Sequence, residues 1–212
     1  APHIGQKRKP GRIRVGFVSA HLGSHTIGKL NQALISGLNK NKFEPHIFFL
    51  GSNNQIKSDI LDRFGHNIDK IFFPDQTLSS MRSTISKAEL VILYYPDIGM
   101  EPLSYFLGFS RLAGVQCVTW GHPVSTGIST IDYFISSQLT EIPTSNAQYT
   151  EKLLRLKWFS TDYAKPNLEN LRKSRGDFKL KEKTHLYMCP QSLFKFHPDF
   201  DEILGGILRA DA

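Results

Sequence analysis

Two histidines stand four residues apart in segment 19–26, directly ahead of a predicted helix. Because an imidazole titrates at about pH 6.5, His21 or His25 could act as a general base or donate a hydrogen bond to a phosphate. Each could equally be an exposed loop residue. The N–H groups at the start of the helix would favour an anion beside them in either case.

Two other charged side chains follow predicted strands. Asp97 comes directly after the apolar run 90–95, so its carboxylate could orient an acceptor or a sugar hydroxyl, or it could cap the next helix. Lys195 stands between two phenylalanines just past a second apolar run. It could meet a diphosphate as a point charge, although an ordinary surface lysine has the same appearance.

Segment 120–133 is rich in glycine, proline and hydroxyl residues and lies between two predicted strands. Its two glycines would allow the backbone to approach a ligand closely, and its hydroxyls and histidine offer hydrogen bonds. An ordinary turn has a similar composition, so both interpretations stay open at this point.

Several common catalytic motifs do not occur. The chain has no GxGxxG, Walker, GxSxG or HExxH pattern, which argues against the commonest dinucleotide, phosphate, hydrolase and zinc-protease sites. Its two cysteines, Cys117 and Cys189, do not support a disulfide framework or a CxxC metal site, and both are predicted to lie in apolar strands.

The elements that must position these residues alternate between strand and helix. Strands are predicted at 13–19, 46–50, 68–73, 90–95, 114–119 and 132–136, and helices at 26–40, 56–64, 78–88, 101–109 and 147–156. This order predicts the α/β class, with a Rossmann-like parallel sheet covered by helices on both faces. The loops at 20–25 and 96–100 and the stretch 120–133 would then share the sheet edge where such folds bind ligands.

The remainder of the chain predicts the start of a second lobe. Residues 162–183 are polar and charged, which indicates a linker with some helix around 168–175. A strand at 184–189 and a helix at 199–209 follow, too little for a domain. We therefore expect a flexible basic N-terminus at 1–12, a first lobe at 13–161, the linker at 162–183, and a truncated second lobe at 184–212.

Composition narrows the class of partner and compartment. The 212 residues carry a formal net charge of +7, but much of it lies in segments 7–14 and 172–183, which we interpret as solvated. Without an RNA-recognition or helix-turn-helix motif, we expect no nucleic-acid partner. No apolar run approaches the roughly 20 residues that a membrane span needs, and the start lacks a signal-peptide core, so we expect a cytoplasmic protein.

Three motifs resemble, in chain order, the catalytic region of the protein O-linked N-acetylglucosamine transferase and SPINDLY family, especially its bacterial members. They are RVGFVS with GSH at 14–25, WGHP with TG and DYFI at 120–135, and CPQSLFKFHP at 189–198. The resemblance implies a two-lobed GT-B glycosyltransferase, metal-independent and inverting. Such an enzyme moves a sugar from a nucleotide sugar to a Ser, Thr or Asn side chain of a protein.

The resemblance also implies roles for individual residues. His25 would lie beside the donor diphosphate and the acceptor, and Lys195 would steady the leaving diphosphate; with Asp97 these form the predicted catalytic set. The predicted substrate-binding residues are His21, Trp120, Gly121, His122, Pro123, Thr126 and Ser192. Ser192 stands where the animal members carry a glutamine.

The 212-residue chain is expected to be the acceptor-side lobe of such an enzyme, together with the first strand and the first helix of its donor lobe. We expect UDP-N-acetylglucosamine as the donor substrate, no cofactor and no metal. A protein would be the acceptor, and the rest of the C-terminal lobe and upstream helical repeats would complete the full-length enzyme. The isolated chain is expected to be inactive. The alternative is a catalytically inactive glycosyltransferase-like module that binds a protein.

Overall fold

The computed structural model of the protein describes residues 1–8, 10–51, 54–65, 68–162 and 173–211. The chain divides into two compact units, Ala1–Ala164 and Lys165–Ala212. The limits predicted above for the lobes and the linker stay predictions.

The first unit contains, within the described ranges, a parallel sheet of seven strands. They are β1 (Ile13–Ser19), β2 (Phe43–Phe49), β3 (Lys70–Phe72), β4 (Ile92–Tyr95), β5 (Val115–Thr119), β6 (Tyr133–Ser137) and β7 (Lys152–Leu156). Their order across the sheet is β3-β2-β1-β4-β5-β6-β7, and every neighbouring pair is parallel. The predicted α/β class is confirmed.

Four helices connect the first strands: α1 (Thr26–Ser36), α2 (Asn54–Phe64), α3 (Leu78–Lys87) and α4 (Pro102–Gly108). One apolar cluster packs Ile35, Ile60 and Phe64 from α1 and α2 against the sheet. A second cluster packs Met81, Ile85 and Leu107 from α3 and α4. Since both clusters include strand residues, the sheet is buried on two faces, and its strands are accordingly apolar along much of their length.

The order of the strands reverses beside β1. The chain runs from β1 outward through β2 to β3 and then returns to β4 on the other side of β1. In open parallel sheets this arrangement leaves a crevice at the carboxyl ends of the two central strands. The residues that follow β1 and β4 are the loops that hold His21, His25 and Asp97.

The limits of two early elements differ from prediction. Helix α1 ends at Ser36 instead of residue 40, and its C-cap is Gly37, whose N–H donates to the Ala33 carbonyl. Strand β2 begins at Phe43 instead of residue 46. Pro45 is tolerated there because the pairing of β2 with β3 starts only at His46, so its missing N–H interrupts no ladder between them.

The helix predicted at 147–156 is wrong. The structure has a short 3₁₀ helix at Ser145–Gln148, followed by β7, which pairs with β6 from Lys152 to Leu156. Leucine, lysine and arginine favour helix in isolation, so local propensity was misleading. Pairing with β6 satisfies the backbone groups of this segment and half-buries Leu153 and Arg155.

The strand predicted at 184–189 is also wrong. No strand occurs among residues 173–211, so this segment has no neighbour with which to form a ladder, and Cys189 is exposed. Helix α5 (Phe200–Ala210) matches the helix predicted at 199–209 within a residue at each end. Most of the helix predicted around 168–175 lies outside the described residues. Across the described ranges, none of the helices combines the length and the hydrophobicity that crossing a membrane requires.

Candidate active site

The loops after β1, β4 and β5 meet at the carboxyl edge of the sheet. The Gly121 N–H donates to the Pro96 carbonyl at 3.1 Å and joins the last two loops. A Cβ at Gly121 would lie 2.1 Å from that carbonyl oxygen and 2.8 Å from Ile27 Cδ1 of α1. Only glycine permits this approach, so the loop after β5 is in contact with the loop after β4 and with the start of α1.

Asp97 is the buried acid of this edge, with an exposure of 0%. Its Oδ2 accepts a hydrogen bond from Ser19 Oγ at 2.7 Å, whereas Oδ1 has no hydrogen-bond partner among the described residues. Burial raises the pKa of Asp97 to about 6. The hydrogen bond from Ser19 acts in the opposite direction but is outweighed by burial. Asp97 does not cap α4, whose N-cap is Glu101, so the capping alternative is not observed.

His21 lies between Asp97 and His25. Its Nε2 is 4.0 Å from Asp97 Oδ2 and has no hydrogen-bond partner in the described part of the chain. Its backbone N–H donates to Ser19 Oγ at 2.8 Å, so one serine holds both the histidine backbone and the carboxylate. The rings of His21 and His25 are 4.7 Å apart between centroids.

His25 is the N-cap of α1, and its Nδ1 accepts the Ile27 N–H at 3.2 Å. A nitrogen that accepts this hydrogen bond carries no proton, so the neutral ring bears its proton on Nε2. The pKa of His25 lies below its ordinary value, first because the ring loses part of its hydration and then because of the nearby His21. His25 is therefore arranged to donate from Nε2. Acting as a base at Nε2 would require the other tautomer and the loss of the cap.

Segment 120–127, which follows β5, forms one wall of the candidate site. The His122 ring packs on Gly99, where a Cβ would lie 2.6 Å from the ring and where φ is +100°. The Trp120 Nε1 is buried without a hydrogen-bond partner in the described chain. Pro123 is exposed, and the Val124 N–H donates across it to the His122 carbonyl at 2.9 Å, forming a tight turn.

A cavity of about 580 Å³ opens beside this wall. Its lining residues are Ile98, Gly99, Met100, Pro102, Tyr105, Phe106, His122, Ser125 and Thr126. An apolar and aromatic lining with a few polar groups is typical of sites for small ligands or for part of a larger one.

The curated relatives of this chain are sugar transferases. The Arabidopsis thaliana protein named "Probable UDP-N-acetylglucosamine--peptide N-acetylglucosaminyltransferase SEC" is 24% identical over 214 residues, covering 96% of this chain and 22% of the plant protein. The UDP-glucose:protein N-beta-glucosyltransferase of Actinobacillus pleuropneumoniae serotype 7 (strain AP76) is 30% identical over 134 residues, 62% of this chain and 21% of that protein. The protein of the same name from serotype 5b (strain L20) is 27% identical over 172 residues, which cover 76% of this chain and 26% of that protein.

These matches support the resemblance of the chain to the protein O-linked N-acetylglucosamine transferase and SPINDLY family. The chain spans about a quarter or less of the length of these curated relatives. No protein-family model matches it.

A solved structure has a fold similar to that of this chain. A mutant of the Thermobaculum terrenum O-GlcNAc transferase aligns with a TM-score of 0.63 and 23% identity, covering 71% of this chain and 29% of that one. The likeness in fold agrees with the GT-B catalytic region that the family resemblance implied.

Two residues to which the family resemblance gave roles, Ser192 and Lys195, lie in the second unit. Lys195 is exposed, with Nζ 5.9 Å from the centroid of the Phe194 ring. Ser192 is also exposed and precedes a 3₁₀ turn at Leu193–Lys195 without capping it through its side chain. Their roles in binding the donor stay predictions.

The sequence analysis missed Glu151, which holds part of the cavity wall. Its Oε1 accepts from the Thr126 N–H at 2.8 Å and from the Thr126 hydroxyl, and its Oε2 accepts from Ser125 Oγ at 2.8 Å. The Thr126 hydroxyl also accepts the Ile128 N–H. Thr126, predicted to bind substrate, therefore has its hydroxyl committed within the protein. The sequence analysis placed Glu151 within a helix predicted at 147–156, whereas it lies buried directly ahead of β7.

Metal ligands are not grouped at this edge. Among the described residues, no set of three His, Cys, Asp or Glu side chains could hold a metal ion. The buried carboxylate of Asp97, the imidazoles of His21 and His25 and the start of α1 are charged and polar groups that lie together at this edge.

Proposed function

We propose that this chain forms the N-terminal lobe, with the start of the donor lobe, of an inverting protein glycosyltransferase. The enzyme would move a sugar from a nucleotide sugar to a side-chain hydroxyl or amide of a protein. The observation that carries this proposal is the group of Asp97, His21 and His25 at the point where the strand order reverses, in a chain whose relatives are named as protein or peptide sugar transferases. These names do not favour the inactive binding module.

His25 is proposed to bind the leaving diphosphate. Its Nε2–H would donate to a phosphate oxygen, and the positive end of the α1 dipole would favour the negative charge that develops there. The N–H groups of Ile27 and Gly28 already bind His25 Nδ1 and the His21 carbonyl. Lys195 would add a positive charge from the donor lobe, as the family resemblance implies. These groups would supply fixed charge stabilisation without a metal or a cofactor.

The pair His21 and Asp97 is proposed to take the proton of the acceptor. Because Nε2 is the ring nitrogen 4.0 Å from the carboxylate, Nδ1 is the nitrogen proposed to accept the proton, and the nearby Asp97 would stabilise the imidazolium. The acceptor atom then bonds to the anomeric carbon. The bond from that carbon to the diphosphate oxygen breaks, and its electron pair leaves with the nucleotide. Attack from the face opposite the leaving group inverts the configuration.

The cavity beside His122 is proposed to receive the transferred sugar. We propose a uridine donor, UDP-N-acetylglucosamine in the first instance, because the names of the relatives carry a UDP-sugar. UDP-glucose is the second donor to test, since two relatives are named for it.

The experiment uses the full-length protein with UDP-N-acetylglucosamine, UDP-glucose and GDP-fucose. Calorimetry would measure donor binding, and release of nucleotide together with the mass of acceptor proteins would measure transfer. Transfer should fall by about a hundredfold or more in Asp97→Asn and stay near wild type in Asp62→Asn, an isosteric change at an exposed position of α2. Failure of all three donors to bind would overturn the proposal and favour a binding module.

A further inference from the structure

Glu151 stands directly ahead of β7 and outside the cavity, yet it anchors two of the residues that line it. It is 5% exposed. Three donors from segment 125–126 converge on its carboxylate: Ser125 Oγ, the Thr126 N–H and the Thr126 hydroxyl. Ser125 Oγ additionally accepts the Thr150 N–H at 2.9 Å, so the same wall is joined twice to the entry of β7.

This anchorage is the main support of the wall on that side. Among the hydrogen bonds of the described residues, segment 121–126 is joined to other elements at Gly121 by the Pro96 carbonyl, and at Ser125 and Thr126 by Thr150 and Glu151. His122, which faces the cavity, lies between these two attachments. Loss of the second attachment would free the segment that carries His122.

Glu151 is held by hydrogen bonds from neutral donors. Burial opposes its ionisation, but the hydrogen bonds from Thr126 and Ser125 outweigh burial, so the pKa of Glu151 lies below its ordinary value. A buried carboxylate with such partners acts as a fixed acceptor of hydrogen bonds. Its amide counterpart keeps the volume but cannot accept from both directions.

We propose that Glu151 is a positioning residue that fixes segment 120–127 in the shape that receives the substrate at the cavity. It acts through Ser125, Thr126 and His122 and does not itself touch the reacting atoms. The substrate concerned is the transferred sugar of the donor, so this part of the inference rests on the proposed function.

Glu141 offers a matched control. It too accepts hydrogen bonds from hydroxyl groups, from Ser136 at 2.6 Å and from Tyr149 at 2.8 Å, and its pKa is also lowered. It joins β6 to the 3₁₀ segment, and neither it nor its partners line the cavity. The change Glu141→Gln thus removes the same kind of interaction at another place.

The test compares Glu151→Gln, Glu151→Asp and Glu141→Gln in the full-length protein. Hydrogen exchange by mass spectrometry should be faster by about tenfold or more in the peptide covering 120–130 in Glu151→Gln only. The KM for the donor should rise by about tenfold in that variant with a much smaller change in kcat, because binding geometry is lost and the chemical groups are retained. Glu151→Asp keeps the negative charge, so its exchange rate at 120–130 and its KM for the donor should lie between those of wild type and Glu151→Gln.

Two results would overturn the inference. One is wild-type exchange at 120–130 in Glu151→Gln, and the other is an equal rise of KM in Glu141→Gln. If Glu151→Gln does not fold, Ser125→Ala removes one of the three donors to Glu151 together with the acceptor of the Thr150 N–H, and it should show a smaller change in the same direction. A wild-type protein that transfers no sugar would contradict the proposed function, while exchange would still decide whether Glu151 holds the wall.

Discussion

Asp97 destabilises the folded chain at neutral pH. It is fully buried, one carboxylate oxygen lacks a hydrogen-bond partner among the described residues, and its pKa is raised to about 6. A group whose pKa is higher in the folded than in the unfolded chain binds extra protons on folding, so stability falls as pH rises through that interval. Groups retained at such a cost are characteristic of functional sites.

The change Asp97→Asn should therefore stabilise the chain above about pH 6 and make little difference below about pH 4. The raised pKa corresponds to about 3 kcal/mol at most, lost from the wild type between these two values. Thermal unfolding of wild type and Asp97→Asn at several pH values measures this difference in stability. A lower melting temperature for Asp97→Asn at pH 7.5 would contradict the assignment of a buried, unsatisfied charge.

His25 combines two tasks that substitution can separate. Asparagine caps helices well, so His25→Asn should keep the free energy of unfolding within about 0.5 kcal/mol, whereas His25→Ala should lose about 1 kcal/mol. Both variants lack the Nε2 donor, so both should bind UDP-sugars about tenfold more weakly in the full-length protein. Denaturant unfolding and calorimetry check the two effects. Equal donor binding in wild type and His25→Asn would remove the diphosphate role.

At the scale of elements, the contact between the loop after β4 and the loop after β5 depends on one glycine. In Gly121→Ala the new methyl group would meet the backbone carbonyl of Pro96, which cannot move without shifting its loop. We expect a loss of about 2 kcal/mol or more in the free energy of unfolding. Gly127→Ala is the control, because its φ of +67° is strained for alanine but nothing lies within 4 Å, and it should cost about 1 kcal/mol. A smaller loss at Gly121 than at Gly127 would contradict the close approach.

At the scale of the whole molecule, β7 is the last strand of the sheet among the described residues and pairs with a strand on one side only. Leu154 and Leu156 are exposed on this strand, and Trp158, just beyond it, is 77% exposed. Edge strands with apolar side chains tend to pair with other chains. We therefore expect the isolated chain to associate as its concentration rises, and Leu154→Lys to oppose this association. Sedimentation velocity measures it, with Leu34→Lys on the exposed side of α1 as the control. Equal association of both variants would exclude β7 as the contact.

Local sequence patterns determined the architecture of residues 13–119 and the place of the site. Apolar runs of strand length, alternating with runs of helical period, depend only on neighbours in the chain, and they predicted the parallel α/β sheet and the edge where its loops meet. The positions of His25, Asp97 and segment 120–133 in those loops followed from the same pattern.

Tertiary structure alone decided the features that join distant residues. The hydrogen bond from Ser19 to Asp97 links residues 78 apart in sequence, and Glu151 reaches Thr126 across 25. Segment 152–156 has the composition of a helix and becomes β7 because β6 is there to pair with it, while segment 184–189 has the composition of a strand and finds no partner among the described residues. Propensity is a property of the segment, whereas strand pairing and burial depend on what lies beside it in space.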